Sequence, residues 1–122
     1  TPEEADGINF VIHEFAHKLD MKNGIPDGLP PLHEGMSQRV WREAFAAAYA
    51  DFCARVDRDE DTALDPYAAE APAEFFAVMS EAFFETPRIL RDEYPAVFEQ
   101  LRLFYRQDPL SSPHVAAKLR IF

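Results

Sequence analysis

Residues 13–20 read HEFAHKLD, and the H-E-x-x-H pattern of His13, Glu14 and His17 is the strongest constraint on what this chain folds into. Residues four apart share one face of a helix, so the pattern works as a unit only if the stretch is helical. On a helix it aims both imidazoles at one point and leaves Glu14, about a quarter turn away, beside that point rather than on it. Two imidazoles alone hold a divalent cation poorly, and a catalytic zinc site takes three protein ligands with one position open. The fold therefore has to press a second element, carrying a third donor, against this helix. A carboxylate beside the ligands is placed to take a proton from a water that the metal has made acidic. The pattern is short enough to arise by chance, so its surroundings decide its meaning.

The apolar pattern supplies candidates for the second element. After the polar start at Asp6-Gly7-Ile8-Asn9, the residues Phe10, Val11, Phe15, Ala16 and Leu19 line a helix over about 8–20, with Asn23-Gly24 as its stop. The stretch GIPDGLPPLHEG is rich in Gly and Pro and reads as a loop. Ser37 then caps a helix over about 37–57, whose stripe is Val40, Trp41, Ala44, Phe45, Ala48, Tyr49, Phe52 and Val56. An acidic linker, DRDEDTALDP, follows. Pro72 suits a first helical position, and the third helix runs to about Glu85 with Phe75, Phe76, Met79 and Phe83 facing the core. Pro87 ends it, and Pro95 opens a fourth helix carrying Val97, Phe98, Leu101, Phe104 and Tyr105. The tail HVAAKLRIF reads as a short helix or a strand. The expected fold is mainly α, four to five helices in a single domain over 1–122.

Among the remaining donors, His33 and His114 fall in loop or tail stretches, whereas Glu74, Glu81 and Glu85 lie on the third helix. Glu74 sits in the first turn beside Phe75 and Phe76, which have to face the core. A carboxylate there is costly unless it is paired or bound to a metal. Glu74 therefore ranks first as the third ligand and Glu81 second.

The formal charge of −10 argues against phosphate-backbone binding as the main task, so no direct nucleic-acid contact is expected. Cys53 is the single cysteine, which excludes an internal disulfide and fits a reducing, cytoplasmic setting. No apolar run is long enough for a membrane span, and no signal-peptide pattern opens the chain. The chain begins with Thr1, as a fragment of a longer protein would.

Taken together, HEFAHKLD, the DGLPPL loop, DPYAAEAPAEFFAVMSEAFFETP and FYRQDP resemble the Mlc titration factor A family of zinc metallopeptidases, from about Gly7 to Pro109. The resemblance implies that the domain is a zincin-like catalytic fragment, with a gluzincin-type core related to that of anthrax lethal factor. It implies His13 and His17 as zinc ligands, Glu74 as the third and Glu14 as catalytic base. It adds Tyr67, seven residues before Glu74, as a catalytic tyrosine whose phenol bonds the oxyanion. It implies peptidase activity, mainly aminopeptidase-like, and binding to a transcriptional repressor. Family chains are about twice as long, and the part before residue 1 includes an expected edge strand along which a peptide substrate lies.

Other residues carry weaker signals. Asp20, three after His17, either orients a histidine or caps the loop start at Asn23-Gly24. Glu81, two turns beyond Glu74, is a candidate partner for His17. Cys53 and Trp41 read as core or partly buried residues, and the acids from Asp57 to Asp65 as a solvated loop. The expected function is zinc-dependent peptide hydrolysis. The alternative is a regulatory module that docks a repressor around a structural zinc. Glu14 separates the two, because a structural site needs no base and closes its fourth position with a protein ligand.

Overall fold

The computed structural model describes residues 2–23 and 27–111, with side chains for 11–22 and 27–111. Five α-helices follow one another: α1 Pro2–Asp20, α2 Gln38–Asp57, α3 Pro72–Glu85, α4 Pro87–Glu93 and α5 Pro95–Tyr105. Short 3-10 turns cover Met21–Asn23 and Pro66–Glu70. No strand occurs among the described residues, so the fold is mainly α as expected. The tail and His114 lie outside the described residues.

Helix starts follow local chemistry. The Ser37 side chain accepts the Val40 N–H at 3.2 Å and caps α2. Helices α3, α4 and α5 each begin with proline, which needs no hydrogen-bond partner for a missing N–H. Pro87 does more than end α3. It opens α4, a short helix with Leu90 buried, and Thr86 serves as the cap residue between the two.

Helix α3 is the centre of the molecule. Phe75, Phe76, Met79 and Phe83 are buried as expected, and Ala77, Val78, Ser80 and Ala82 are buried with them. Phe75 packs edge-on against Phe45 and Tyr49 of α2, Phe76 against Trp41, and Phe83 against Phe98 of α5. Such aromatic pairs add to the stabilisation from apolar burial. The half-buried polar positions of α3 are Glu74 and Glu81, both on the side facing α1.

Helix α1 differs from the expected stripe. It starts at Pro2 rather than near residue 8, and Val11 and Phe15 stand 64% and 57% exposed. Ala16 and Asp20 are the buried residues of its described face. The reason is that α1 lies against α3 and only the face turned to α3 is covered. On α2, Val40 is likewise exposed, while Trp41, Phe45, Ala48 and Phe52 form the buried stripe.

Candidate metal centre

Two helices that run in opposite directions supply the site. Along α1 the order is His13 then His17; along α3 their partners appear as Glu81 then Glu74. The Nε2 of His13 is 3.0 Å from Glu74 Oε2, the Nε2 of His17 is 2.8 Å from Glu74 Oε1, and the two Nε2 atoms are 3.1 Å apart. One ligand atom from each of these residues lies within 4.8 Å of the others. His13, His17 and Glu74 are all partly buried, with side chains 16–19% exposed.

The donor set fits a divalent cation. His13 Nδ1 hydrogen-bonds to the Glu81 carboxylate. A carboxylate accepts, so the Nδ1 proton belongs there and the Nε2 lone pair faces inward. Two imidazole nitrogens and a carboxylate thus converge on one point, and a single proton satisfies only one of their contacts at a time. A cation between them satisfies all three. Ligands about 2.0–2.1 Å from a tetrahedral zinc stand roughly 3.3 Å from one another, close to the spacing found here. Imidazole and carboxylate donors suit such an ion.

Glu81 takes His13 rather than His17, the partner expected for it. The antiparallel run of α1 and α3 explains the difference, because two turns further along α3 means moving back towards the start of α1. Burial raises the Glu81 carboxyl above its usual range, and the bond to His13 offsets this only in part. Asp20 is fully buried and its Oδ2 accepts the Gly28 N–H at 2.8 Å, so it closes the loop after α1 at Gly28. Its Oδ1 has no hydrogen-bond partner in the protein, and burial raises its pKa.

The other candidates fall as follows. Glu14 is exposed on α1. Tyr67 sits on the turn Pro66–Glu70, which Asp65 caps by accepting the Tyr67 N–H at 3.0 Å. Its ring is 50% exposed, with its centroid 6.3 Å from that of His13. His33 is held elsewhere: Nε2 lies 2.6 Å from the Phe104 carbonyl and the ring stacks on Phe104. Glu85 is exposed, and the linker acids Asp57, Asp59, Glu60, Asp61 and Asp65 are solvated as expected. Cys53 is partly buried with its thiol towards the Ala69 carbonyl, and Trp41 is a core residue whose Nε1–H donates to the Gly28 carbonyl at 3.1 Å. Sequence reading missed this bond; the Asp27-Gly28 pair, a turn signal, was its only trace.

Known proteins are similar to this chain over most of its length. A protein of Edwardsiella ictaluri named Mlc titration factor A is 44% identical over 110 residues, covering 88% of this chain and 42% of its own length. A protein of the same name from Yersinia pestis is 43% identical over 111 residues, or 88% of this chain and 41% of its own. An uncharacterized protein of Synechocystis sp. is 38% identical over 105 residues, or 86% of this chain and 38% of its own. The chain thus spans about two fifths of the length of these curated relatives. Residues 1–106 match the family described as glucose-regulated metallo-peptidase M90, which implies a metal at a site such as this one, and the chain belongs to that family.

Proposed function

We propose that this chain carries the catalytic centre of a zinc-dependent metallopeptidase. The observation that supports the reading is the convergence of His13, His17 and Glu74 from two helices, within 4.8 Å of one another. These residues would hold the ion through two imidazole nitrogens and a carboxylate oxygen. A zinc ion there would supply Lewis acidity, making a water acidic enough to lose a proton near neutral pH and polarising a peptide carbonyl.

The protein's own groups carry the remaining work. Glu14, exposed and one position along α1 from His13, takes a proton from the attacking water and passes it to the leaving amine. Tyr67, exposed beside the His13 ring, donates a hydrogen bond to the charge that develops on the carbonyl oxygen. Glu81 holds the His13 ring in the tautomer that turns its Nε2 inward. Peptides are the substrate class, with an aminopeptidase-like preference and a cytoplasmic setting. No helix of the described residues is long and apolar enough to cross a membrane.

A second reading comes from the name of two relatives, Mlc titration factor A, which points to capture of a repressor protein. The two tasks are compatible, and Glu14 tells them apart. Metal analysis of the purified protein should give about one zinc per chain, lost in Glu74→Ala. Glu14→Gln should keep the zinc and lower hydrolysis of peptide substrates by roughly 10²–10⁴-fold in the full-length protein. Wild-type turnover in Glu14→Gln would remove the hydrolytic mechanism and leave the binding role.

A further inference from the structure

The metal ligands come from α1 and α3, so the gap between these helices sets the donor spacing. His13 and Glu81 tie the two helices at one end of the site. At the other end, where His17 Nε2 stands 2.8 Å from Glu74 Oε1, a second tie runs through Gly28.

Gly28 is held from three sides. Its N–H donates to Asp20 Oδ2 at 2.8 Å, and Asp20 is the last residue of α1, three positions after His17. Its carbonyl accepts the Trp41 indole N–H at 3.1 Å, which comes from α2. Its α-carbon rests against α3: a Cβ at this position would lie 2.8 Å from the Pro72 carbonyl oxygen, and φ is +82°. Glycine alone suits both conditions, the left-handed backbone and the missing side chain. The Pro72 carbonyl belongs to the first turn of α3, two residues before Glu74. It has no freedom to retreat without carrying Glu74 with it.

Asp20 is the unusual member. A fully buried carboxylate is costly, and only one of its oxygens has a hydrogen-bond partner in the protein. An apolar residue would fill this place at lower cost, but it would offer no acceptor to Gly28. We propose that Asp20 and Gly28 are positioning residues for the metal centre, bracketing α1 against the start of α3 so that His17 and Glu74 meet. The inference rests on the metal-site reading above. Sites of this kind tolerate displacements of only about 0.5 Å, so loosening the bracket should weaken binding with no ligand removed.

The experiment measures zinc affinity of the full chain by competition with a chromogenic chelator. Circular dichroism and metal-free melting are recorded alongside. Asp20→Ala and Gly28→Ala should weaken zinc binding roughly 10- to 100-fold, whereas Asp20→Asn, which keeps an acceptor oxygen, should stay within about threefold of wild type. If Gly28→Ala fails to fold, the Asn and Ala variants at position 20 decide the matter. Wild-type zinc affinity in folded Asp20→Ala, even with a lower metal-free melting temperature, would reduce Asp20 to a structural residue and overturn the inference. A wild-type protein that takes up no zinc would overturn the metal-site reading itself, and the two failures are told apart by that control.

Discussion

His13 is gripped at both ring nitrogens: Nδ1 bonds to the Glu81 carboxylate while Nε2 stands 3.0 Å from Glu74 Oε2. Glu81→Gln keeps the size of the side chain but offers an amide that can turn either end to the ring. Zinc affinity should fall roughly 10- to 100-fold, less than in Glu74→Ala, as for other partners that orient a ligating histidine. Equilibrium dialysis with radioactive zinc would measure it, and equal losses in the two variants would make Glu81 a ligand rather than a support.

Tyr67 separates cleanly into ring and hydroxyl. With half of its surface in solvent, the ring contributes little packing. Tyr67→Phe should lower kcat by roughly 10²–10³ with KM and zinc content nearly unchanged, because one donor to a developing oxyanion is lost. Tyr67→Ala should shift the melting temperature only slightly. A kinetically silent Tyr67→Phe would end the catalytic assignment.

Two tyrosines make an alkaline prediction. Burial pushes the phenol of Tyr94 up to about 12, with the hydrogen bond to Asp51 adding and Arg55 opposing. Burial likewise takes Tyr105 up to about 12 against the pull of Ser80. Both folded values lie above the ordinary value of 10.0, so the folded state favours the neutral phenols. Their contribution is fully present below pH 10 and is lost as pH rises from there to about 12. Phenolate absorbance and helical circular dichroism, followed together, should show these tyrosines ionising as the helices melt. Ionisation of all tyrosines near pH 10 in a fully helical protein would contradict this.

Exposure should likewise sort the aromatic residues by cost. Phe76 has no exposed surface, so Phe76→Ala should destabilise by about 3–5 kcal/mol in urea unfolding. Phe15→Ala, at a position 57% exposed, should remain within about 0.5 kcal/mol of wild type.

That contrast also marks where the sequence was readable. The convergence of His13 and His17 follows from a spacing of four, and Glu74 stood out as a carboxylate lodged beside Phe75 and Phe76. The stripe of α3 was legible because it is apolar on nearly every side. Phe15 misled, since periodicity reports an apolar face without saying whether the fold provides a cover for it. Helix α4 escaped because seven residues with one buried Leu90 are too few to establish a period. The partner of Glu81 depended on the relative direction of two helices 68 positions apart at His13 and Glu81, which local pattern does not contain. The hold on Gly28 is tertiary in the same sense, joining three elements through one backbone unit.

The shallow seat of α1 has a consequence for how the molecule opens. Helices α2, α3 and α5 share an aromatic core, whereas the described part of α1 buries only Ala16 and Asp20 completely. Local opening costs least where few apolar contacts are lost, so amide hydrogens of α1 should exchange with solvent well before those of α3. A ligand that binds the closed form alone raises the cost of opening by mass action. His13 and Glu74 are 61 positions apart in the chain, so an ion shared between them would act as a clasp between α1 and α3, and metal supply would set how long the two stay shut.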